Sequence, residues 1–201
     1  SLGAGKNAGV IDQMPDFPPE STVEDVLRLA FRESDEVAAA MDALTDEMAR
    51  KPDDASLLKR YAQLETRLEL LGGYNRDFEI DRVCNGLEIP AAMRAQPFAL
   101  LSGGEKAFVA IALYFAILKV HPTPFCVMDE IEAALDEPNV VRVANYMRRI
   151  TSKTQFIVIT HRRGTMEAAD VLYGVTMQER GVSKVLTINM NDMAKELNIK
   201  E

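Results

Sequence analysis

The sequence predicts an α/β fold: a mostly parallel sheet with helices packed on it and a helical hairpin inserted ahead of it. Three observations carry this. Two short apolar runs, FCVM at 125–128 and QFIVIT at 155–160, have the length and continuity of strands buried on both faces. Each run ends in polar groups, Asp129 and Glu130 after the first and His161 after the second, and helical stretches alternate with them. Further upstream, two stretches of helical periodicity flank a Lys51-Pro52-Asp53-Asp54 break, which reads as a helical hairpin.

The elements follow in order. Residues 1–20 are loop-like, with Gly3, Gly5 and Gly9 followed by Pro15, Pro18 and Pro19. Ser21 with Glu24 three residues on forms a capping-box pattern, so a helix is expected from about Val23, with Val37, Met41, Leu44 and Met48 on its apolar face. The second hairpin helix carries Leu57, Leu58, Tyr61, Leu64, Leu68 and Leu71 and ends at Gly72-Gly73. A third helix spans about 77–87. From residue 100 the character changes: LSGGEK at 101–106 opens an apolar helix to Val120, and Pro122 and Pro124 turn the chain into the first strand. A helix over 139–150, the second strand, a short helical region over 163–170 and a hairpin turning at 180–182 complete the pattern. The corresponding domains are 1–22, a hairpin over 23–73, and an α/β part over 74–201.

Composition narrows the classes. The 201 residues are 47% hydrophobic and 27% charged, ordinary for a soluble globular chain. The net charge of −8 lies wholly in residues 1–100, with 11 Lys and Arg against 19 Asp and Glu; residues 101–201 balance at 12 and 12. Bulk charge therefore does not attract nucleic acid, and any DNA or RNA contact requires a local basic patch or a larger assembly. Cys84 and Cys126 lie in apolar surroundings and read as buried thiols of a reducing cytosol. The longest apolar run, 107–118, is too short to span a bilayer, and no targeting pattern opens the chain, so a cytoplasmic location without membrane contact is expected.

The chemistry concentrates at three places. An apolar strand ending in Asp129-Glu130 delivers two carboxylates to a sheet edge, where an Asp can hold Mg²⁺ and a Glu can orient or deprotonate an attacking water. By themselves these are two solvated loop acids. Ser102, Gly103 and Gly104 precede a helix, where free N–H groups and the dipole favour an anion; the bland alternative is a plain N-cap. His161 follows a strand and can donate to a phosphate, although a lone histidine is usually structural.

Order and spacing unite them. LSGGEK, an apolar helix, FCVMDE, EAALDE and FIVITH in succession resemble the ABC-type ATPases. That resemblance implies a P-loop-NTPase-like sheet and a head-to-tail dimer with ATP and Mg²⁺ trapped at the interface, the second ABC ATPase domain being the partner. Asp129 is then the metal residue, Glu130 the base, His161 a γ-phosphate contact, Ser102, Gly103 and Gly104 the cap on the phosphate held by the other subunit, and Asp136 part of a loop crossing the interface.

The resemblance divides at 101–106. AIALYFAILKVHPTPFCVMDEIEAALDEPNV and TQFIVITHRRGTMEAADVLYGVTMQERGVSKV look like the C-terminal head segment of the structural-maintenance-of-chromosomes (SMC) family, which implies a role in chromosome organisation and contact with DNA. Residues 1–106, with VIDQMPDF, STVEDVLRLAF, LGGYN, IDRVCNGLEIP and MRAQPFALLSGGEK, resemble ABC-F ATPases, which implies a ribosomal role, an arm-like hairpin, and Gln13 as a Mg²⁺ or water contact. Two families meeting at LSGGEK imply a chimera.

Gly3-Ala4-Gly5-Lys6 invites a P-loop reading and fails it: Asn7 stands where Ser or Thr is needed, and the first Gly is missing. The chain is thus expected to lack its N-terminal P-loop lobe and to hydrolyse ATP only if a P-loop comes from further sequence or a partner. A reading of another class is a non-catalytic interaction module that docks a partner on the acidic hairpin.

Overall fold

A computed structural model describes residues 17–152 and 154–190. Thr22 caps the first helix, α1 (Val23–Arg28), through a full capping box with Asp25. The helix expected to continue unbroken passes instead through a 3-10 turn, Leu29–Phe31, before α2 (Arg32–Arg50). Ala30 and Phe31 are buried in that turn, so tertiary packing redirects the chain where local propensity sets no break.

Helix α3 (Ala55–Leu70), capped by Asp54, returns antiparallel to α2, with Arg67 bound to Glu33 at 2.6 Å. Helix α4 (Arg76–Gly86) follows, then α5 (Ala91–Arg94), a single turn with no sequence signal of its own. Arg94, mostly buried, bridges Glu24 on α1 and Asp81 on α4.

Helix α6 (Gly103–Val120) is the centre of the molecule. Phe108, Val109, Ile111, Ala112, Leu113, Phe115, Ala116, Leu118 and Val120 are all buried, so it is enclosed on nearly every side. Val23, Val26, Leu27, Ile80, Val83 and Leu87 from the first half, and Val140, Val143 and Met147 from the second, belong to one continuous core with it. Cys84 and Cys126 are buried and unbridged, and burial pushes the Cys84 thiol up to about 11.

Strand β1 (Phe125–Asp129) pairs in parallel with β2 (Gln155–Ile159), matching Phe125 to Gln155 and Asp129 to Ile159. Between them lies α7 (Glu137–Ile150), capped by Asp136, with the Tyr146 ring tilted against Phe115 at 4.9 Å. After α8 (Arg163–Glu167), β3 (Val171–Glu179) and β4 (Val182–Asn189) form an antiparallel hairpin with a bulge between Met177 and Glu179 and Gly181 at φ 85° in its turn.

Two expectations need correcting. Among the described residues the strands form two separate two-stranded sheets, one parallel and one antiparallel, rather than one mostly parallel sheet. The antiparallel pair arises because β3 and β4 are joined by a tight turn, which only antiparallel strands allow. The strands expected to be buried on both faces are also covered on one face only. Cys126 and Met128 point into the core, while Phe125 and Val127 on β1 and Ile157 and Ile159 on β2 are about half exposed. No described helix is long and apolar enough to cross a membrane.

Candidate nucleotide-hydrolysis site

Parallel pairing places the C-terminal ends of β1 and β2 side by side, which is where an α/β sheet presents functional groups. Asp129 closes β1 with its side chain exposed. The Glu130 N–H donates to Ile159 O at 2.9 Å, extending the pairing one residue past the strand. Glu130 Oε1 and His161 Nδ1 then stand 3.3 Å apart. Both side chains are more than half exposed, so this contact contributes at most about 1 kcal/mol.

Glu130 also holds φ at 46°, a left-handed conformation that costs a non-glycine residue about 1–2 kcal/mol. The strain is at least as large as anything the exposed pair returns. Stability alone does not account for a glutamate here, and strain of this kind gathers at functional positions.

Ser102 stands at the other end of the site. It caps α6: its Oγ accepts from the Glu105 N–H and donates to Glu105 Oε2 at 2.7 Å, and the Ser102 N–H donates to that same oxygen at 2.8 Å. These donors hold the Glu105 carboxyl below the usual carboxylate range. The next amides, of Gly103 and Gly104, have no acceptor within the helix. A Cβ on Gly103 would meet nothing within 4 Å, so its backbone lies open to approach. A Cβ on Gly104 would lie 3.1 Å from Ala134 O, so the absent side chain lets the helix start sit against the loop after β1.

The sequence-derived residues thus fall into two groups. Glu130 and His161 meet at the strand ends, with Asp129 the last residue of β1 beside them. Ser102, Gly103 and Gly104 lie at the start of α6 beside Ala134, two residues before Asp136. No hydrogen bond or ion pair joins the groups among the described residues. Gln13 lies outside the described residues.

Sequence reasoning missed four residues. Glu132 is buried at 2% exposure, and its Oε1 accepts from the hydroxyls of Thr160 and Thr165. Arg162 Nη2 donates to Leu135 O at 3.0 Å and to Glu137 Oε2 at 3.1 Å. Two signals were available: a charged residue framed by apolar ones in Ile131-Glu132-Ala133-Ala134-Leu135, and a hydroxyl directly before His161.

This arrangement can be set beside known proteins. A family model described as RecF/RecN/SMC N terminal domain matches residues 52–184. The chain belongs to this family. Among curated SMC relatives, the chromosome partition protein Smc of Bacillus subtilis is 48% identical over 159 residues, covering 76% of the chain and 13% of the relative. The Smc of Clostridium kluyveri is 41% identical over 197 residues, covering 92% of the chain and 16% of the relative. A solved Smc head domain with an extended coiled coil, from Pyrococcus furiosus and bound to the C-terminal domain of ScpA, shares 25% identity at a TM-score of 0.55. That likeness covers 88% of the chain and 58% of the solved one. The chain therefore spans about one seventh of the length of these curated relatives. The RecF/RecN/SMC match and the Clostridium relative both run across 101–106, so one family covers both sides of the seam, and the ABC-F likeness of residues 1–106 finds no support in these matches.

Proposed function

We propose that this chain is the capping and hydrolysing part of an SMC-type ATPase head, acting in chromosome organisation through a head-to-tail dimer. The observation that carries the reading is the Glu130–His161 pair at 3.3 Å, set at the ends of adjacent parallel strands. Membership of the RecF/RecN/SMC family supports it. The 201 residues contain no G-x-x-x-x-G-K-[ST] run, so the phosphate cradle comes from a P-loop-bearing part supplied in the same protein or by a partner.

The donor set fits a magnesium nucleotide held jointly. Among the described residues no group of three His, Cys, Asp or Glu could hold a metal. Mg²⁺ takes only one or two carboxylates alongside phosphate and water, and Asp129 would supply one. Gly103 and Gly104 would present open N–H groups to phosphate oxygens, and the Ser102 hydroxyl would exchange Glu105 for them. Bound Mg-ATP supplies the electrophilic phosphorus and the charge that the metal neutralises. Glu130 Oε1 is the proposed base that would orient a water and accept its proton, and His161, whose Nδ1 lies 3.3 Å from that carboxylate, is the proposed γ-phosphate contact. Asp136, at the start of α7, lies on the loop proposed to cross the dimer interface, and Gln13 is proposed as a further contact of the metal or water. The partners proposed on this reading are a second head, DNA, and a ScpA-like protein.

The test is steady-state ATP turnover by the head assembled with its P-loop-bearing part. Glu130→Gln is expected to lower kcat by about 100-fold or more with nucleotide binding retained. Equal turnover by Glu130→Gln and the parent would refute the reading.

A further inference from the structure

His161 is bracketed by a hydrogen-bond relay that the hydrolytic pair does not itself include. The Arg162 N–H donates to Thr160 Oγ1 at 3.0 Å, and the Thr160 hydroxyl donates in turn to Glu132 Oε1. The Thr165 hydroxyl donates to the same oxygen at 3.0 Å. His161 is the residue between the two ends of this relay. The Arg162 guanidinium returns to Leu135 O on the loop that carries Glu132 and to Glu137 at the start of α7. The backbone on both sides of His161 is therefore tied to the loop beginning at Glu130.

As a means of stabilising the fold, Glu132 is a poor choice. It is 2% exposed, its Oε2 is buried without a partner among the described residues, and two neutral hydroxyls serve its other oxygen. A buried carboxylate carries a desolvation cost that two neutral hydroxyls on one oxygen offset only in part. What its hydrogen bonds do hold is Thr160, and through it the Arg162 N–H, on the two sides of His161.

We propose that Glu132 is a positioning residue for hydrolysis: through Thr160 it fixes the peptide around His161 and so sets the spacing between His161 Nδ1 and Glu130 Oε1. It touches no reacting atom. The role rests on the reading of Glu130 and His161 as the hydrolytic pair.

The experiment compares Glu132→Met, Glu132→Gln, Thr160→Val and Glu130→Gln with the parent in the head assembled with its P-loop-bearing part. Three quantities are measured: kcat and KM for ATP, the melting temperature, and the exchange rate of the Arg162 amide. Glu132→Met relieves the buried carboxylate but leaves the Thr160 and Thr165 hydroxyls without their acceptor, so it is expected to melt within a few degrees of the parent, to lose about 10- to 100-fold in kcat with KM little changed, and to exchange the Arg162 amide faster. Glu132→Gln keeps an oxygen for both hydroxyls and is expected to recover to within about threefold of the parent. Thr160→Val, which cuts the relay at its middle, is expected to lower kcat and speed exchange of the Arg162 amide as Glu132→Met does. A folded Glu132→Met with parental kcat overturns the proposal. So does a loss in kcat that merely tracks a lowered melting temperature and is not recovered by Glu132→Gln. If Glu132→Met does not fold, Thr160→Val with parental kcat overturns it instead. An inactive Glu130→Gln beside a fully active Glu132→Met removes only the role of Glu132. A fully active Glu130→Gln removes the hydrolytic reading, and this role with it.

Discussion

Two glutamates hold left-handed backbone, Glu88 at φ 57° and Glu130 at φ 46°, and they do so for different reasons. Glu88 follows α4, where the Ile89 N–H bonds back to Cys84 O at 2.8 Å, a helix ending that ordinarily uses glycine. Its exposed pairing with Arg142 offsets little of the strain. Glu88→Gly should raise stability by about 1 kcal/mol, a shift of roughly 2–4 °C in melting temperature for a chain of this size, with ATP turnover unchanged. Glu130→Gly should gain a similar amount and lose turnover, since the strained residue is the proposed base. A thermal melt paired with a turnover assay separates the two positions, and a fall in melting temperature for both would contradict this account of the strain. The acids at 129 and 130 were legible in the sequence because a strand must deliver its last residues to the sheet edge. The burial of Glu132 was not, because it depends on Thr160 and Thr165, about 30 positions away, which no local pattern links to it.

At the scale of elements, α6 decides whether the molecule folds. Phe115 is fully buried, with its ring 4.9 Å from Tyr146 and 6.4 Å from Phe156, so it joins α6, α7 and β2. Phe115→Ala should cost about 3–5 kcal/mol, a large share of the 5–15 kcal/mol typical of a whole domain. Urea unfolding should show a much lower midpoint, and a loss under about 1 kcal/mol would mean that the site collapses around the gap. Most elements were readable from periodicity: α4, α6 and α7 begin within about two residues of the expected positions, while the first capping box is Thr22 with Asp25, one residue on from the expected Ser21 with Glu24. The turn at Leu29–Phe31 and the single turn α5 were not, because packing against α6 rather than local preference shapes the first and only four residues mark the second. The apolar runs of β1 and β2 predicted two covered faces, and the structure covers one. Phe125, Val127, Ile157 and Ile159 form the other, and their chemistry agrees with a face meant to be covered.

At the scale of the whole molecule, the seam at 101–106 lies inside a single core. Leu101 belongs to the same cluster as Val26 in the first half and Val143 in the second, so the halves stabilise one another instead of folding apart. The abrupt change of composition at residue 100 is thus a change in surface charge rather than a boundary between folding units. The uncovered sheet faces carry most of the large exposed apolar side chains among the described residues. Besides the four residues on β1 and β2, the hairpin exposes Tyr173, Val175, Met177, Val182, Val185 and Leu186. Exposure on this scale favours association. The isolated chain should bind a hydrophobic dye and sediment with an average mass that rises with micromolar concentration. A concentration-independent monomer that ignores the dye would show that these faces are compatible with water.

The bare sheet faces also bear on timing. Capture by a P-loop-bearing part joined to the same polypeptide is a first-order event whose rate does not depend on how much protein is present. Sticking to another copy is second-order and accelerates as copies accumulate. On the proposed reading, with a P-loop-bearing part covering the open strands, the event that reaches them first is set by how soon after synthesis that part arrives and by how many uncovered copies are waiting. On that reading, slow expression and a tether to the covering part favour folding, and overproduction favours aggregation.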